Sequence, residues 1–205
     1  MNASQRSDEP ASRRRTASDQ VAPALLRAAQ TVLDRDGERG VTIRAVAREA
    51  GVAPMSVYNR FASREGLLVA LAVRAFAELA DFLVTPSDLD PERRFRQICV
   101  GYRQFALTRP ARYALIFSIG SPVTLPASEE ASSRGREAVG YLVDAVEAVA
   151  KTNRHGVGDV TESAQIVWNA LHGAVTIEHA DMGRTGDPGT TYELMIAMLL
   201  RGLGA

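Results

Sequence analysis

Residues 41–71 read VTIRAVAREAGVAPMSVYNRFASREGLLVAL, and this stretch decides the fold. The Thr42 hydroxyl can cap a short helix by accepting a hydrogen bond from an amide of the first turn. Gly51 can adopt the left-handed conformation that ends this helix, and Pro54 suits the first position of the next one. The pattern therefore predicts two short helices joined by a tight turn at residues 50–52, which is the helix-turn-helix arrangement.

The side chains of this segment fall into an inner and an outer set. The small side chain of Ala47 lets the two helices approach closely. The apolar side chains expected to face inward are Val46, Val52, Val57 and Phe61. The outward-facing set on the second short helix is Pro54, Met55, Ser56, Tyr58, Asn59 and Arg60. Such a helix can enter the major groove of DNA, which is about 12 Å wide. Any helical hairpin needs the same glycine turn and apolar spacing, so the spacing alone also allows a purely structural hairpin.

Helical periodicity extends on both sides of this segment. Residues 1–18 are rich in Ser, Arg and Ala without periodicity, which predicts a mobile arm. A first helix is expected from about Val21, because Pro23 fits only near a first turn, and it ends at Gly37 and Gly40.

The remainder of the chain also reads as helical. Ser63 can cap a long fourth helix that reaches Leu83. Further helices are predicted over residues 91–108, 111–118, 128–152, 159–182 and 190–203. The predicted fold class is therefore all-α. An N-terminal three-helix domain that contains the helix-turn-helix is expected over 19–66, and a second helical domain over 67–205.

Composition narrows the class of protein. The 205 residues carry 24 basic and 24 acidic side chains, with 46% hydrophobic residues, as expected for a soluble globular chain. Residues 1–66 contain 11 arginines against 8 acidic residues, which favours a nucleic-acid-facing N-terminal part. A polar N-terminus and the lack of a long apolar run predict a cytoplasmic protein with no membrane partner. The single cysteine, Cys99, excludes an internal disulfide framework and a multi-thiolate metal site.

The helix-turn-helix segment resembles the N-terminal domain of TetR-type (tetracycline-repressor-like) transcriptional regulators. The elements that carry the resemblance are Thr42, AREAG at residues 47–51, Val52, the Tyr58-Asn59-Arg60-Phe61 block, and Ser63-Arg64-Glu65 followed by Leu67-Leu68. The match extends over about 50 residues, from the first helix into the fourth. It implies a regulator whose partner is double-stranded operator DNA.

The resemblance also implies a role for each outward residue. Thr42 and Arg64 would contact phosphates on either side of the groove, and the Tyr58 hydroxyl would lie on the DNA backbone. The residues implied to face base edges are Arg44, Met55, Ser56 and Asn59, with Pro54 opening the helix and Arg60 at the groove wall. Ala53 stands where the family often has a capping Ser, so this helix lacks a side-chain cap. The run at residues 13–15, three arginines, is either a minor-groove arm or a solvated tail.

The C-terminal helices of this family generally dimerise and enclose an effector. Residues 166–175, IVWNALHGAV, also resemble a Trp-x-x-x-His-Gly pattern found in a subset of its C-terminal domains. The residues expected to line an effector cavity are Tyr102, Phe105, Tyr113, Phe117, Trp168 and His172. Each of them can also be ordinary core. His172 and His179 lie two turns apart, about 10 Å, which is too far for one metal ion.

A second face of the Trp168 helix predicts a dimer interface. It carries small and apolar residues that permit close helix approach, Ile166, Ala170, Gly173 and Ile177. The last helix is expected to add Tyr192, Met195, Ile196, Leu199, Leu200 and Leu203. Such a two-helix patch can pair with its copy as a four-helix bundle across a two-fold axis.

The sequence therefore predicts a homodimeric regulator, in this family most often a repressor, that a small hydrophobic effector releases from a palindromic operator. No cofactor or metal is expected. A helical interaction module with a vestigial DNA-binding part remains an alternative. An enzyme is the other, although the chain has no paired acidic motif, nucleophile elbow or glycine-rich phosphate loop.

Overall fold

A computed structural model describes the backbone of residues 9–117, 129–152 and 158–204, and the side chains from residue 22 onward within these ranges. The described residues form helices and connecting turns with no strand, so the all-α prediction is confirmed. Contacts divide the chain into two compact units, Met1–Leu71 and Ala72–Ala205. The sequence places this boundary slightly earlier, at residue 66.

The helices follow the predicted order. They are α1 Glu9–Gly40, α2 Ile43–Ala50, α3 Pro54–Phe61, α4 Arg64–Leu83, α5 Pro91–Thr108, α6 Pro110–Phe117, α7 Glu129–Ala150, α8 Val160–His179 and α9 Pro188–Leu203. Residues 118 and 128, where two helix ends were expected, lie outside the described residues. None of the helices in the described part of the chain has the length and apolar character needed to cross a bilayer.

Helix α1 begins earlier than the periodicity indicates. Its backbone is helical from Glu9, so the predicted mobile arm is wrong for residues 9–18, whereas residues 1–8 lie outside the described range. Alanine and arginine favour the helical backbone even without an apolar stripe. Pro23 lies inside the helix, where it removes one backbone hydrogen bond without ending it. The predicted end is confirmed at Gly37, where φ is 68° and ψ is −177°.

Local capping builds the first unit as the sequence predicts. The Thr42 hydroxyl accepts a hydrogen bond from the Ala45 amide at 3.1 Å, which caps α2. Gly51 ends α2 in the left-handed region with φ 67° and ψ 33°. Helix α3 begins at Pro54 after Ala53, which makes no side-chain cap bond. Two predicted caps, the predicted helix start at Pro54 and one predicted missing cap therefore correspond to observed backbone geometry.

One inward-facing residue was assigned to the wrong side. Val46 and Val57 are fully buried and Phe61 is half-buried, but Val52 is 36% exposed. The Val52 amide donates to the Ala47 carbonyl at 2.9 Å, which ties this turn residue to the end of α2. The side chain of Val52 therefore lies at the surface, because the turn fixes its backbone in this position although valine is apolar.

The second unit has its own core and a polar clamp. Its largest fully buried side chains include Phe95, Phe105, Leu115, Leu171 and Ile196. The Arg103 guanidinium of α5 donates two hydrogen bonds to the Glu178 carboxylate of α8 and lies 5.5 Å from the centre of the Tyr192 ring of α9. The Tyr192 hydroxyl donates to the Cys99 carbonyl at 2.8 Å. These contacts fasten α5, α8 and α9 together.

Helices α4 and α5 approach so closely that one position needs glycine. A Cβ atom on Gly101 would overlap the Phe82 carbonyl oxygen. The rings of Phe82 and Phe105 lie 5.7 Å apart at the same contact. A larger residue at position 101 would have to move backbone rather than a flexible side chain.

We expect Gly101→Ala to lower the free energy of unfolding by about 1–3 kcal/mol, because the new methyl group overpacks this contact. Gly140→Ala in α7 is the matched control, since a Cβ there meets no atom within 4 Å. The control should raise stability by up to about 1 kcal/mol through helix propensity alone. Urea unfolding followed by circular dichroism measures both variants, and equal shifts in the same direction would contradict the close contact.

Candidate functional site

The outer face of α3 presents a row of accessible side chains. Met55 is 63% exposed and Tyr58 is 54% exposed. Both are large side chains, and they lie on a helix of only eight residues. Asn59 and Arg60 are also exposed, and Ser56 is half-buried. Pro54 is exposed at the first turn of the helix. The buried side of the helix is held by Val57. The predicted outward set therefore lies at the surface of the first unit, while its contact with DNA stays a prediction.

Helix α2 brings two more of the predicted residues to the surface. Thr42 and Arg44 are exposed at its N-terminal end. The Thr42 oxygen accepts the capping hydrogen bond, and a hydroxyl can at the same time donate its hydrogen to an anion. The end of α2 that carries Thr42 also has the positive end of the helix dipole.

Arg64 makes contacts within the protein that the sequence analysis did not include. Its Nε donates to the Val41 carbonyl and its Nη2 to the Glu38 carbonyl, each at 2.8 Å. The Glu38 carboxylate lies 3.6 Å from the same nitrogen. The guanidinium therefore fastens the start of α4 to the junction of α1 and α2. A phosphate contact by Arg64 would have to use its remaining donors, so its main structural role is to position α4.

The turn from α3 to α4 contains two further local constraints. Ser63 caps α4, because its hydroxyl accepts from the Gly66 amide at 3.1 Å and its carbonyl accepts from the Leu67 amide at 3.2 Å. Ala62 has a positive φ of 59°, and its amide donates to the Tyr58 carbonyl at 2.7 Å. The Ser63 cap was predicted, whereas no sequence signal marks alanine for a positive φ.

The second unit encloses a cavity of about 900 Å³. Its described walls come from the second half of α4 and from α5, α6, α7 and α8. Of the predicted effector residues, four line it, Tyr102, Phe117, Trp168 and His172. The Phe117 ring packs edge-on against both Trp168 and His172, at 6.3 and 5.3 Å between ring centres. The predicted convergence of aromatic side chains from three segments is thus observed.

The other two predicted effector residues do not line the cavity. Phe105 is fully buried against Phe82 and belongs to the core. Tyr113 lies behind the wall, where its hydroxyl is 2.8 Å from Nδ1 of His172 and its ring stacks on the imidazole. A phenylalanine of the wall and one of the core look alike in a sequence, which explains the error for Phe105.

His172 is held in a network of hydroxyl groups. The Tyr102 hydroxyl lies 3.0 Å from the same Nδ1 that contacts Tyr113. Burial lowers the pKa of His172 and so favours the neutral imidazole at pH 7. Burial also raises the pKa of Tyr102 and Tyr113, which keeps both hydroxyl groups protonated. The network is therefore uncharged.

Most of the cavity wall carried no sequence motif. The apolar lining residues that the sequence analysis did not assign include Phe76, Leu79, Leu83, Ile98, Leu142 and Leu171. The exposed polar ones are Arg136, Asp144, Gln165 and Asn169, on α7 and α8. Helical periodicity could have indicated only that the apolar positions point inward.

The second histidine of α8 has a structural contact. The His179 Nε2 donates to the Ala106 carbonyl at 3.2 Å, and its ring packs edge-on against Tyr113. No group of three or more His, Cys, Asp or Glu side chains that could hold a metal occurs within the described ranges.

Helices α8 and α9 share an exposed apolar surface. On α8, Ile166 and Ile177 are exposed, with Ala170 and Gly173 half-buried between them. On α9, Leu194 and Met198 are 61% and 64% exposed, although the sequence analysis did not name them. Met195 and Leu199 are half-buried beside them. We call this set the α8–α9 face.

Four residues of α9 were wrongly assigned to that face. Tyr192, Ile196, Leu200 and Leu203 are buried within the unit itself. They form one stripe of the helix, whereas Leu194 and Met198 lie on the opposite stripe. Because α9 is apolar on both sides, composition alone could not tell its inner face from its outer one.

Comparison with known proteins gives two family matches. Residues 25–71 match the family of bacterial regulatory proteins described as tetR, and residues 95–199 match the tetracyclin repressor-like C-terminal domain. The HTH-type transcriptional regulator Rv1816 of Mycobacterium tuberculosis is 27% identical over 225 residues, covering 92% of this chain and 94% of that protein.

Solved structures give the same picture of the fold. A protein with unknown function from Rhodococcus sp. RHA1 has a TM-score of 0.75 at 25% identity, covering 89% of this chain and 95% of its own. The regulator FadR from Bacillus subtilis, solved in complex with stearoyl-CoA, has a TM-score of 0.69 at 15% identity. The match covers 88% of this chain and 98% of the FadR chain.

We expect Arg64→Ala to loosen the first unit, because two backbone carbonyls lose their donor. The free energy of opening, measured by amide hydrogen exchange in α2 and α3, should fall by about 1–3 kcal/mol. Arg60→Ala, which removes an exposed guanidinium from α3, should change it by less than about 0.5 kcal/mol. Unchanged exchange in the Arg64 variant would contradict the positioning role.

Proposed function

The chain belongs to the TetR family of bacterial transcriptional regulators, and from this premise we propose that it is a homodimeric repressor released from its operator by an apolar small molecule. The observation that carries the proposal is the exposed outer face of α3 in the first unit. The cavity of about 900 Å³ in the second unit supports the effector half of the proposal.

In this proposal one set of side chains contacts the phosphates and a second set contacts the bases. Thr42 and Tyr58 bond to phosphates and fix the register of the protein on the duplex. The side chains that meet base edges in the major groove are Arg44, Met55, Ser56 and Asn59, with Pro54 at the helix start and Arg60 at the groove wall. Arg64 acts through the position of α4, because two of its nitrogens already donate within the protein. The remaining N–H groups of Arg64 are assigned to the expected phosphate contact.

The α8–α9 face is the proposed dimer interface. Exposed Ile166, Ile177, Leu194 and Met198 form an apolar surface that a second copy would cover. A two-fold axis through this surface makes a four-helix bundle and presents two α3 helices to DNA. The operator is then a palindrome with half-sites about 34–36 Å apart, or a multiple of that spacing.

Effector release is proposed to act through α4. The start of this helix is bonded to the α1–α2 junction through Arg64, and its later residues Phe76 and Leu79 line the cavity. A ligand that pushes on these residues favours a conformer in which α4 tilts and the two α3 helices spread apart. By linkage, the ligand then weakens DNA binding by the same factor as DNA weakens ligand binding.

An interaction module with an inactive DNA-binding part is the main competing function, and an enzyme is the other. The exposed groups on α3 favour DNA binding over the interaction module. A gel-shift experiment with the DNA upstream of the protein's own gene separates the regulator from both alternatives. Operator binding also implies that the protein works in the bacterial cytoplasm.

We expect Tyr58→Phe to weaken DNA binding without changing the preferred sequence. Loss of one phosphate hydrogen bond should reduce affinity about 2–10-fold for every duplex. Asn59→Ala should instead relax the preference at one base position, at a cost of about 1–3 kcal/mol. Selection from a random duplex library, with wild type and both variants in parallel, measures affinity and preference together. A changed consensus for Tyr58→Phe would refute its assignment to the backbone.

We expect Met198→Arg to produce a monomer, because it would bury a charge at the centre of the α8–α9 face. Val84→Arg is the matched control, since Val84 is an exposed apolar residue just after α4 and outside this face. Light scattering at micromolar concentration reports the mass of both variants. A monomeric wild type, or a dimeric Met198→Arg variant, would exclude this interface.

A further inference from the structure

We propose that the cavity selects for an uncharged apolar carbonyl compound, whose oxygen accepts a hydrogen bond from Nε2–H of His172. This inference rests on the proposed function, because it names the chemical class of the effector that the second unit takes. It depends on which nitrogen of His172 carries the proton, and the neighbours of the imidazole determine this.

Nδ1 of His172 is the acceptor of the network. The hydroxyls of Tyr113 and Tyr102 lie 2.8 and 3.0 Å from it. The two hydroxyls also bond to each other, and their oxygens take part in further hydrogen bonds, Tyr102 with the Trp168 indole and Tyr113 with the Thr176 side chain. An indole N–H can only donate, so the Tyr102 oxygen already accepts a hydrogen. The Tyr102 hydrogen has the Tyr113 oxygen as its acceptor. The Tyr113 hydrogen then needs an acceptor of its own, and the single lone pair of Nδ1, 2.8 Å away, provides it.

The proton of the neutral ring then lies on Nε2. A neutral imidazole has one donor and one acceptor nitrogen, so a lone pair on Nδ1 requires an N–H at Nε2. The surroundings favour this neutral form, since the Tyr113 and Phe117 rings pack against the imidazole at 5.6 and 5.3 Å. Burial lowers the pKa of His172 in the same direction.

The buried and half-buried residues that line the cavity thus offer a ligand the Nε2–H of His172 and few other polar groups. Trp168, Tyr102 and His172 are the polar residues of this buried and half-buried part, and the first two have their hydrogens committed to the network. The polar lining residues Gln165 and Asn169 are exposed on α8. Among the described lining residues, the charged ones are Arg136 and Asp144, and both are exposed on α7. Nε2–H is therefore the polar group that the buried and half-buried part of the described wall still offers to a ligand.

This polarity discriminates between ligand classes. A ketone, ester or amide oxygen can accept from Nε2–H without burying a charge. A carboxylate would lose its hydration without a buried cation to replace it, and an ammonium group would meet a donor. An alcohol can accept from Nε2–H but leaves its own hydrogen without a partner, which costs binding.

The tautomer can be measured directly in the full-length chain. Nitrogen-15 NMR of the imidazoles, with the His172 signals assigned by their loss in His172→Phe, should report a protonated Nε2 and an unprotonated Nδ1. The variant with both Tyr102→Phe and Tyr113→Phe should lose this preference, because Nδ1 then has no hydroxyl donor. A wild-type ring protonated at Nδ1 would overturn the proposal.

The ligand class is tested with four probes of equal chain length, 2-dodecanone, 2-dodecanol, dodecylammonium and dodecanoate. Quenching of Trp168, the single tryptophan, follows binding. The ketone should bind about 3–10-fold more tightly than the alcohol and more tightly than either ion, and His172→Phe should remove this advantage. His179→Gln, which changes the other histidine of α8, should leave ketone binding within about twofold. Ketone binding that is absent, that is weaker than binding of an ion, or that does not respond to His172→Phe would overturn the assignment.

Addition of operator DNA separates this inference from the proposed function. If the ketone binds through His172 but leaves operator affinity unchanged, the ligand class stands and effector-driven release fails. If an ion, but not the ketone, releases the operator, effector-driven release stands and the carbonyl assignment fails.

Discussion

The hydrogen bonds of Arg64 are the constraint on which the proposed regulation depends. They join the first turn of α4 to carbonyl groups of Glu38 and Val41, so this end of the helix cannot move without the α1–α2 junction. The proposed release requires α4 to carry a displacement from one of its ends to the other. Phe76 and Leu79 of the same helix line the cavity, so α4 carries residues of both sites that the proposed release connects.

Features set by neighbouring residues in the sequence were predicted well. The caps at Thr42 and Ser63 and the left-handed Gly51 involve partners no more than a few residues away, and all three are present in the structure. The roles set by distant residues were not predictable. The carbonyl partners of Arg64 lie 23 and 26 positions before it, so no local pattern distinguishes a guanidinium that binds phosphate from one that binds the protein backbone.

The same distinction explains the mixed result for the second unit. Aromatic residues from α5, α6 and α8 do converge, and His172 does lie beside Trp168 in the cavity wall. Phe105 and Tyr113 were expected in the same wall but lie behind it, because each step of one residue along a helix turns the side chain by about 100°. In α9, apolar residues cover both faces, so burial of Ile196 and exposure of Met198 depend on packing that the sequence does not encode locally.

The polar groups of the cavity also explain how an apolar site can be specific. Hydroxyl, indole and imidazole groups that lacked partners would each cost free energy in a buried site. In this unit they satisfy one another, because Tyr102 and Tyr113 both approach Nδ1 of His172. Because Nδ1 of His172 accepts a hydrogen bond inside the network, it is not available to a ligand. In the proposed tautomer, the N–H on the other side of the imidazole, at Nε2, remains as a donor. The interactions that stabilise the network therefore also determine the hydrogen-bond polarity that a ligand meets.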